Sequence, residues 1–400
     1  MDSLNWLKRK TKPAQQNPKI KLRSADFFSG CGGLSLGLWE AGRRCGVEID
    51  VALGLDIMKE AKPVFKDNFR NAKFIQEDIS DYIDGKLNDK RLTKAEKAFK
   101  ADIGELDVLL GGPPCQGNSD LNNHSRRDDP RNDLYLKMAR AVYIFRPKIV
   151  LIENVQTVTR AKSNVVIKTK TFLEDLDYAC EEFTIKASNL GLAQRRVRHF
   201  TLGIKEEKGK KVNMGEIVNS DGHRQERPIS WAIQDLSEGK SLFETPSTHQ
   251  IQNKERIAWL FGEGWTEEEK NSEFNVGTLD KPEAYNLINS RRPKCHQNGH
   301  NYPAVYGRMK WDEAAPTITT GFGSTGQGRF VHPKEQRSLT PHEAARIQAF
   351  PDFFSFGMAT KRRALHTLIG NAVPPLMVVP LFVKVFNATG MSNSVVEPGL

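Results

Sequence analysis

The sequence predicts an α/β protein in which a doubly wound, mostly parallel sheet spans residues 20–204 and a smaller, irregular second domain follows at 205–332. Three observations carry that expectation. Short β-rich runs alternate with longer helical patterns from residue 20 to 204, the rhythm of strand–helix–strand crossovers. Two of those runs, LDVLLGG (106–112) and KIVLIENV (148–155), are apolar almost throughout, as strands buried on both faces must be. The stretch DFFSGCGGLSLGL (26–38) ends a strand pattern and opens a helical one through Gly30, Gly32 and Gly33.

In chain order, residues 1–19 form a basic N-terminal arm. Within KRKTKPAQQNPKIKLR (8–23), a solvated, partly disordered stretch and a phosphate-contacting one both remain open. The strand candidates are KIKLRSADFF (19–28), VALGLD (51–56), KFIQED (73–78), LDVLLGG, KIVLIENV, CEEFTIKASNL (180–190) and RHFTLGI (198–204). DGKLNDKRLTKAEKAFK (84–100) reads as a charged surface helix without assigned function. The character changes at KEEKGKKVNMGEIVNSDGHRQERP (205–228), after which Trp231, Trp259, Trp265 and Trp311 stand in a region of little periodicity. Helical pattern resumes in LTPHEAARIQAF, where Leu339 or Thr340 before Pro341 makes a helix start, then in KRRALHTLIG and after VPP. These closing helices, 333–388, are expected to return to the first domain, leaving a tail at 389–400.

A chain of 400 residues with 38% hydrophobic and 27% charged content can build a real core. The five cysteines are odd in number and scattered, and no leader-like stretch precedes them, so a reducing cytoplasm is expected rather than a disulfide framework. VPPLMVVPLFVKVF (373–386) carries three prolines and a lysine and falls short of the roughly 18 apolar residues of a spanning helix, so no membrane segment is predicted. A net charge of +10 and a pI near 9.2 favour a polyanionic partner.

Chemistry gathers where strands end. Glycine turns between a strand and a helix let the backbone come close to a ligand that the helix N-terminus helps bind, though such a loop alone does not tell NAD from other adenosine cofactors. VALGLD ends in Asp56 and KFIQED in Asp78. One carboxylate suits ribose hydroxyls and the other an adenine edge, unless both cap helices. Cys115 follows the fourth strand candidate, in a loop that Pro113 and Pro114 stiffen, flanked by Pro and Gln rather than by a buried periodicity. Glu153 ends the fifth, where loss of solvation should raise its pKa. In GLAQRRVRHF, period two puts Gln194, Arg196 and Arg198 on one face and Arg195 on the other.

In this order, FFSGCGGLSLG, GGPPCQGNS, ENV, QRRVR, LTPHEAARIQAFP and IGNAVPP resemble the ordered motifs of the DNA (cytosine-5)-methyltransferases from about residue 24 to 388. The resemblance implies a Rossmann-like class I methyltransferase fold, S-adenosyl-L-methionine as cofactor with no metal, and double-stranded DNA as partner. It makes Cys115 the nucleophile and Glu153 the group at N3 of the cytosine. Arg198 would contact the base carbonyl or the loop, with Gln194 and Arg196 as the other catalytic-motif positions. It places Phe28, Gly30, Gly32, Gly33, Asp56, Asp78, Ile79, Gly112, Pro114, Asn371, Ala372 and Val373 around the cofactor, and makes 205–332 the target-recognition domain. Two positions depart from the pattern: the family usually has an aromatic residue where Asn118 stands and a glycine where Ala349 stands.

The resemblance further implies a monomeric, cytoplasmic prokaryotic enzyme of a restriction–modification or related defence system, with a cognate nuclease or defence protein as a possible associate. A tRNA cytosine-5 methyltransferase and a catalytically silent DNA-binding protein are the alternatives. Cys295, His296 and His300 do not make a zinc site, since no second Cys/His pair lies nearby. Arg291, Arg292, Arg308 and Arg329 are candidates for groove or phosphate contacts.

Overall fold

A computed structural model describes residues 3–15, 18–114, 133–160, 164–207, 211–218, 224–262 and 307–392. Seven strands form one sheet: β1 (Ile20–Phe27), β2 (Val47–Leu55), β3 (Lys73–Ile75), β4 (Val108–Gly111), β5 (Ile149–Asn154), β6 (Tyr178–Lys186) and β7 (Val197–Lys205). Their order is β3-β2-β1-β4-β5-β7-β6. The first five run parallel, and β7 lies antiparallel between β5 and β6. Strand order reverses between β1 and β4, so the crevice where open α/β sheets bind ligands lies between the glycine loop after β1 and the loop after β4.

Each run of apolar residues divides between two cores. Val108 and Leu110 of β4 and Ile149 and Leu151 of β5 face one core, while Leu109, Val150 and Ile152 face the other. That division explains why the middle strands lack polar alternation. On the second face lie α4 (Lys94–Ile103), α5 (Asp133–Phe145) and α6 (Val165–Glu174). On the first lie α2 (Gly33–Cys45) and α3 (Ala61–Asn68), and there the closing helices α10 (Pro341–Ile347), α11 (Arg362–Asn371) and α12 (Pro375–Ala388) join them. Shorter helices are α1 (Ser3–Leu7), α7 (Met214–Val218), α8 (Ile229–Ile233) and, somewhat longer, α9 (Ile251–Phe261).

Residues 362–388 are long and apolar enough to pass for a membrane span, further than the prolines of 373–386 suggested, but most of that stretch is buried. It breaks into α11 and α12 at Ala372–Pro374, and α12 lies along α2. A Cβ at Gly37 would meet Val378 and the Pro375 carbonyl oxygen, so glycine sets this approach.

The predicted strands are found with shifted ends. β2 begins four residues before VALGLD, and β6 stops at Lys186 because residues 187–190 turn into a 3₁₀ helix closed by Gly191 at φ 76°. The helix predicted for 84–100 begins at Lys94, capped by Thr93. Its Glu96 is buried with Arg140 of α5 at 2.7 Å, which makes it more than a surface helix.

Just ahead of the basic stretch 8–23, whose residues 10–12 and 14 are exposed, the arm is packed inward. Trp6 and Leu7 are fully buried, the Trp6 indole N–H donates to the Ala349 carbonyl at 3.1 Å, and Lys12 lies 4.6 Å over the Trp39 ring. Two large apolar side chains outweigh the surrounding charge, since burying each contributes about 1.5–3 kcal/mol.

Candidate active site

The glycine loop leaves β1 in an unusual conformation. Phe28 has φ 58°, a region that bulky side chains enter only under constraint. Gly30 follows at φ 51° and Gly32 at φ 94°, where α2 begins. A Cβ on Gly32 would come within 2.6 Å of Phe69, and one on Gly33 would strike the Val373 carbonyl oxygen. A Cβ on Gly30 would meet nothing within 4 Å, so the loop backbone there opens onto free space. Asp56, one residue past β2, ties the loop down by accepting from the Gly30 N–H at 2.8 Å and from the Met58 N–H at 2.8 Å. Burial raises the Asp56 pKa, and those two amides oppose the shift.

Asp78 is exposed and caps the short 3₁₀ helix Ile79–Asp81 through the Ser80 N–H at 2.8 Å, with Ile79 buried beneath it. Both carboxylates therefore hold backbone, but only Asp78 caps a helix, as the capping alternative supposes. Each oxygen has a second lone pair, so neither is thereby closed to a ligand.

Across the crevice, Gly112 follows β4 and its N–H donates to the Phe27 carbonyl at 3.3 Å. Asn154 donates to the Pro113 carbonyl at 3.0 Å, which pins the chain entering the loop one residue before Pro114. Cys115 and the rest of that loop, Asn118 included, lie outside the described residues, as do Arg291, Arg292, Cys295, His296 and His300. Glu153 lies beside this entrance, since a Cβ on Gly112 would come within 3.1 Å of its Oε2. Glu153 is buried and receives Arg198 Nε on Oε1 at 2.7 Å. Burial raises its pKa, with Arg198 and Arg196 pulling the other way. Burial likewise lowers the pKa of Arg198, which Glu153 opposes.

The period-two reading of QRRVR holds. Gln194 and Arg196 are buried and Arg198 nearly so, while Arg195 is exposed and pairs with Glu226 at 2.7 Å. Arg196 donates to the carbonyls of Ile318 at 2.9 Å, Gly370 at 3.3 Å and Asn371 at 3.4 Å. Gln194 donates to Gln348 Oε1 at 2.8 Å. Of the three, Arg198 alone is hydrogen-bonded to Glu153. Asn371 is exposed, Ala372 half-buried and Val373 buried where the turn meets Gly33. Arg308 stacks 4.4 Å over Phe261, and Arg329 is half-buried.

The strand order, the glycine loop and the buried Glu153–Arg198 pair thus occupy one edge of one sheet. Over residues 22–387 the sequence matches the profile of the C-5 cytosine-specific DNA methylases. The chain belongs to that family. This methyltransferase is 43% identical over 373 residues to the type II methyltransferase M1.BsuMI of Bacillus subtilis, covering 92% of this chain and 82% of that one. It is 27% identical to the type II methyltransferase M.DdeI of Desulfomicrobium norvegicum, covering 88% and 85%. The crystal structure of the S. pombe Dnmt2 methyltransferase superposes with a TM-score of 0.57 at 17% identity, covering 93% of this chain and all of that one, a likeness of fold.

Three groups on this edge escaped the sequence reading. Asp26, at the end of β1, is buried with Oδ2 accepting from Ser35 Oγ at 2.7 Å, and its Oδ1 has no hydrogen-bond partner among the described residues. Ile57 is 69% exposed immediately after Asp56, and Gln348 is wholly buried. The charge inside the apolar run SADFF was a signal for Asp26, and Gln348 stood inside the motif LTPHEAARIQAFP without being singled out.

Proposed function

We propose that this enzyme methylates C5 of a cytosine in a specific short sequence of double-stranded DNA, through a covalent bond between Cys115 and C6 of a base turned out of the helix. The observation that carries the reading is the buried Glu153, with its raised pKa, against the backbone at the start of the Cys115 loop. C5 of cytosine is a poor nucleophile. Addition of the Cys115 thiolate at C6 breaks the ring's aromaticity and leaves C5 enamine-like, and a thiol both ionises near neutral pH and leaves again. Glu153 holds a proton at N3 as electron density moves there, and Arg198 fixes the carboxyl while its guanidinium faces the base carbonyl. Once C5 has gained the methyl group, loss of its proton expels the sulfur as thiolate and restores the ring's aromaticity.

The cofactor side fits an adenosine sulfonium. The open space at Gly30, the strained Phe28, the exposed Ile57 and the unpartnered Asp26 Oδ1 line up along one edge. Ser29 Oγ, also buried, has no hydrogen-bond partner among the described residues. We assign S-adenosyl-L-methionine to Phe28, Gly30, Gly32, Gly33, Asp56, Asp78, Ile79, Gly112, Pro114, Asn371, Ala372 and Val373. It supplies an electrophilic methyl group when bound. Asp56 and the Gly30 backbone position the adenosine, and the turn 371–373 closes the pocket against Gly33.

The kinship with type II methyltransferases supports a restriction–modification or related defence role in a prokaryotic cytoplasm. Bisulfite sequencing of host DNA with and without the expressed chain tests the reading. Protection of cytosines in one short motif is expected. Label from S-adenosyl-L-methionine entering tRNA and not duplex DNA would overturn the substrate assignment.

A further inference from the structure

Two buried glutamines join the edge of the active site to a distant part of the chain. Gln348, just after α10, donates from Nε2 to the carbonyls of Ile369 at 2.6 Å and Ala372 at 3.3 Å. Its Oε1 accepts from Gln194 Nε2 at 2.8 Å, and Gln194 Oε1 accepts the backbone N–H of Ile318 at 2.9 Å. Gln194 also forms a bridge with Ala315. Both side chains are 0% exposed, as is Ile318. The direction of this chain is dictated at its ends, because a backbone carbonyl can only accept and the Ile318 N–H can only donate. Every link between must therefore carry one donor and one acceptor, which an uncharged amide provides and a carboxylate or a methionine does not.

The two ends differ in kind. Residues 369–372 lead into the turn that meets Gly33 of the glycine loop, whereas 315–320 belong to the segment proposed for target recognition. Besides the amide pair, Arg196 touches both, and Gly370 lies against the backbone of Thr319 and Thr320. Buried polar groups must stay paired, so any shift of the turn would be carried to Ile318 through these contacts.

We propose that Gln348, with Gln194 as its partner, is a positioning residue that couples occupancy of the cofactor pocket to residues 315–320. The proposal rests on assigning the turn 371–373 to the cofactor. Neither glutamine touches reacting atoms in this scheme. Gln194, which the motif resemblance placed among catalytic positions, acts through Gln348.

The test uses the full chain, S-adenosyl-L-homocysteine as probe, and the variants Gln348→Glu, Gln348→Met and Gln194→Met. Calorimetric titrations from pH 5.5 to 8.5 run beside amide hydrogen exchange at Ile318. Saturating probe should slow exchange of the Ile318 amide in the native protein and leave it unchanged in Gln348→Met and Gln194→Met. Gln348→Met should bind the probe about tenfold more weakly at every pH, the factor for one hydrogen bond lost. Gln348→Glu should bind nearly as the native chain does at pH 5.5, where a protonated carboxyl can still donate to Ile369. It should weaken about tenfold by pH 8.5, where a carboxylate faces two carbonyl oxygens.

A merely structural glutamine would give neither the pH dependence nor the selective loss at Ile318. Folded variants with native affinity at all pH values and native protection of Ile318 overturn the proposal. If Gln348→Glu does not fold, the Gln194→Met exchange result decides alone. A native chain that fails to bind the probe overturns the cofactor assignment instead.

Discussion

Asp26 carries a carboxyl group out of water at the end of β1, and burial pushes its pKa up to about 7 from an ordinary 3.8, with Ser35 opposing the shift. Because the folded state holds this proton more tightly than the unfolded chain, the group's contribution is complete below pH 3.8 and is lost as pH rises to about 7. Between pH 5 and pH 8 the loss is about 2–3 kcal/mol. Asp26→Asn should flatten that part of the stability profile in urea titrations at the two pH values. An unchanged slope would show that the carboxyl is not the source. Glu153 shifts in the same direction, and the proposed mechanism uses its proton. Glu153→Gln should slow single-turnover methyl transfer by roughly 10²–10⁴-fold, while affinity for S-adenosyl-L-homocysteine stays near native. A native transfer rate would move the proton-holding role to another residue.

The motif that contains α10 shows how far local sequence reaches at the scale of an element. Leu339 or Thr340 before Pro341 was legible as a helix start, and the structure caps the helix at Thr340 with a complete capping box to Glu343. Its end was not. Ala349 stands where the family usually has glycine, and the structure gives φ 61° at that residue, a conformation costing an L-residue roughly 1–2 kcal/mol. Ala349→Gly should therefore stabilise the protein by about 0.5–1 kcal/mol after the greater chain entropy of glycine is counted, read as a higher urea midpoint. A lower midpoint would mean that packing of the Ala349 methyl outweighs the strain. The opposite change in α2, Gly37→Ala, should destabilise by about 1–3 kcal/mol, because α12 backbone occupies the space. Strand positions, the glycine loop, Glu153 and the alternation in QRRVR were readable because each depends on a few neighbouring residues. The burial of Trp6, the Glu96–Arg140 pair and the Gln194–Gln348 link were not. Their partners stand 343, 44 and 154 residues away, and no local pattern encodes such pairings.

Considered as one body, the molecule has its first and last described elements on the same face. Trp6 packs edge-on to Phe353 with ring centroids 5.4 Å apart, Leu7 accepts the Asp352 N–H at 2.9 Å, and Lys8 reaches Asp235 at 3.5 Å. Trp6→Ala should cost about 3–5 kcal/mol, the range for deleting a buried tryptophan. Affinity for DNA measured in the remaining folded protein should change little, since the helix is anchored inward. A large loss of DNA affinity with native stability would show that the helix also helps to hold the DNA.

The indole of Trp6 and the carbonyl it binds also set a clock. At about 5–20 residues per second, a ribosome needs roughly 20–70 s to pass from one to the other. From residue 205 onward the nascent chain already carries its glycine loop, its cysteine and its whole sheet. The face of α2 that α12 will cover is still bare. Folding of the sheet's first face therefore waits for α12, and a chain cut short before it leaves an apolar surface for chaperones to hold or proteases to clear. A cell making this protein acquires its DNA-modifying activity in whole molecules, each appearing only when its last helices emerge.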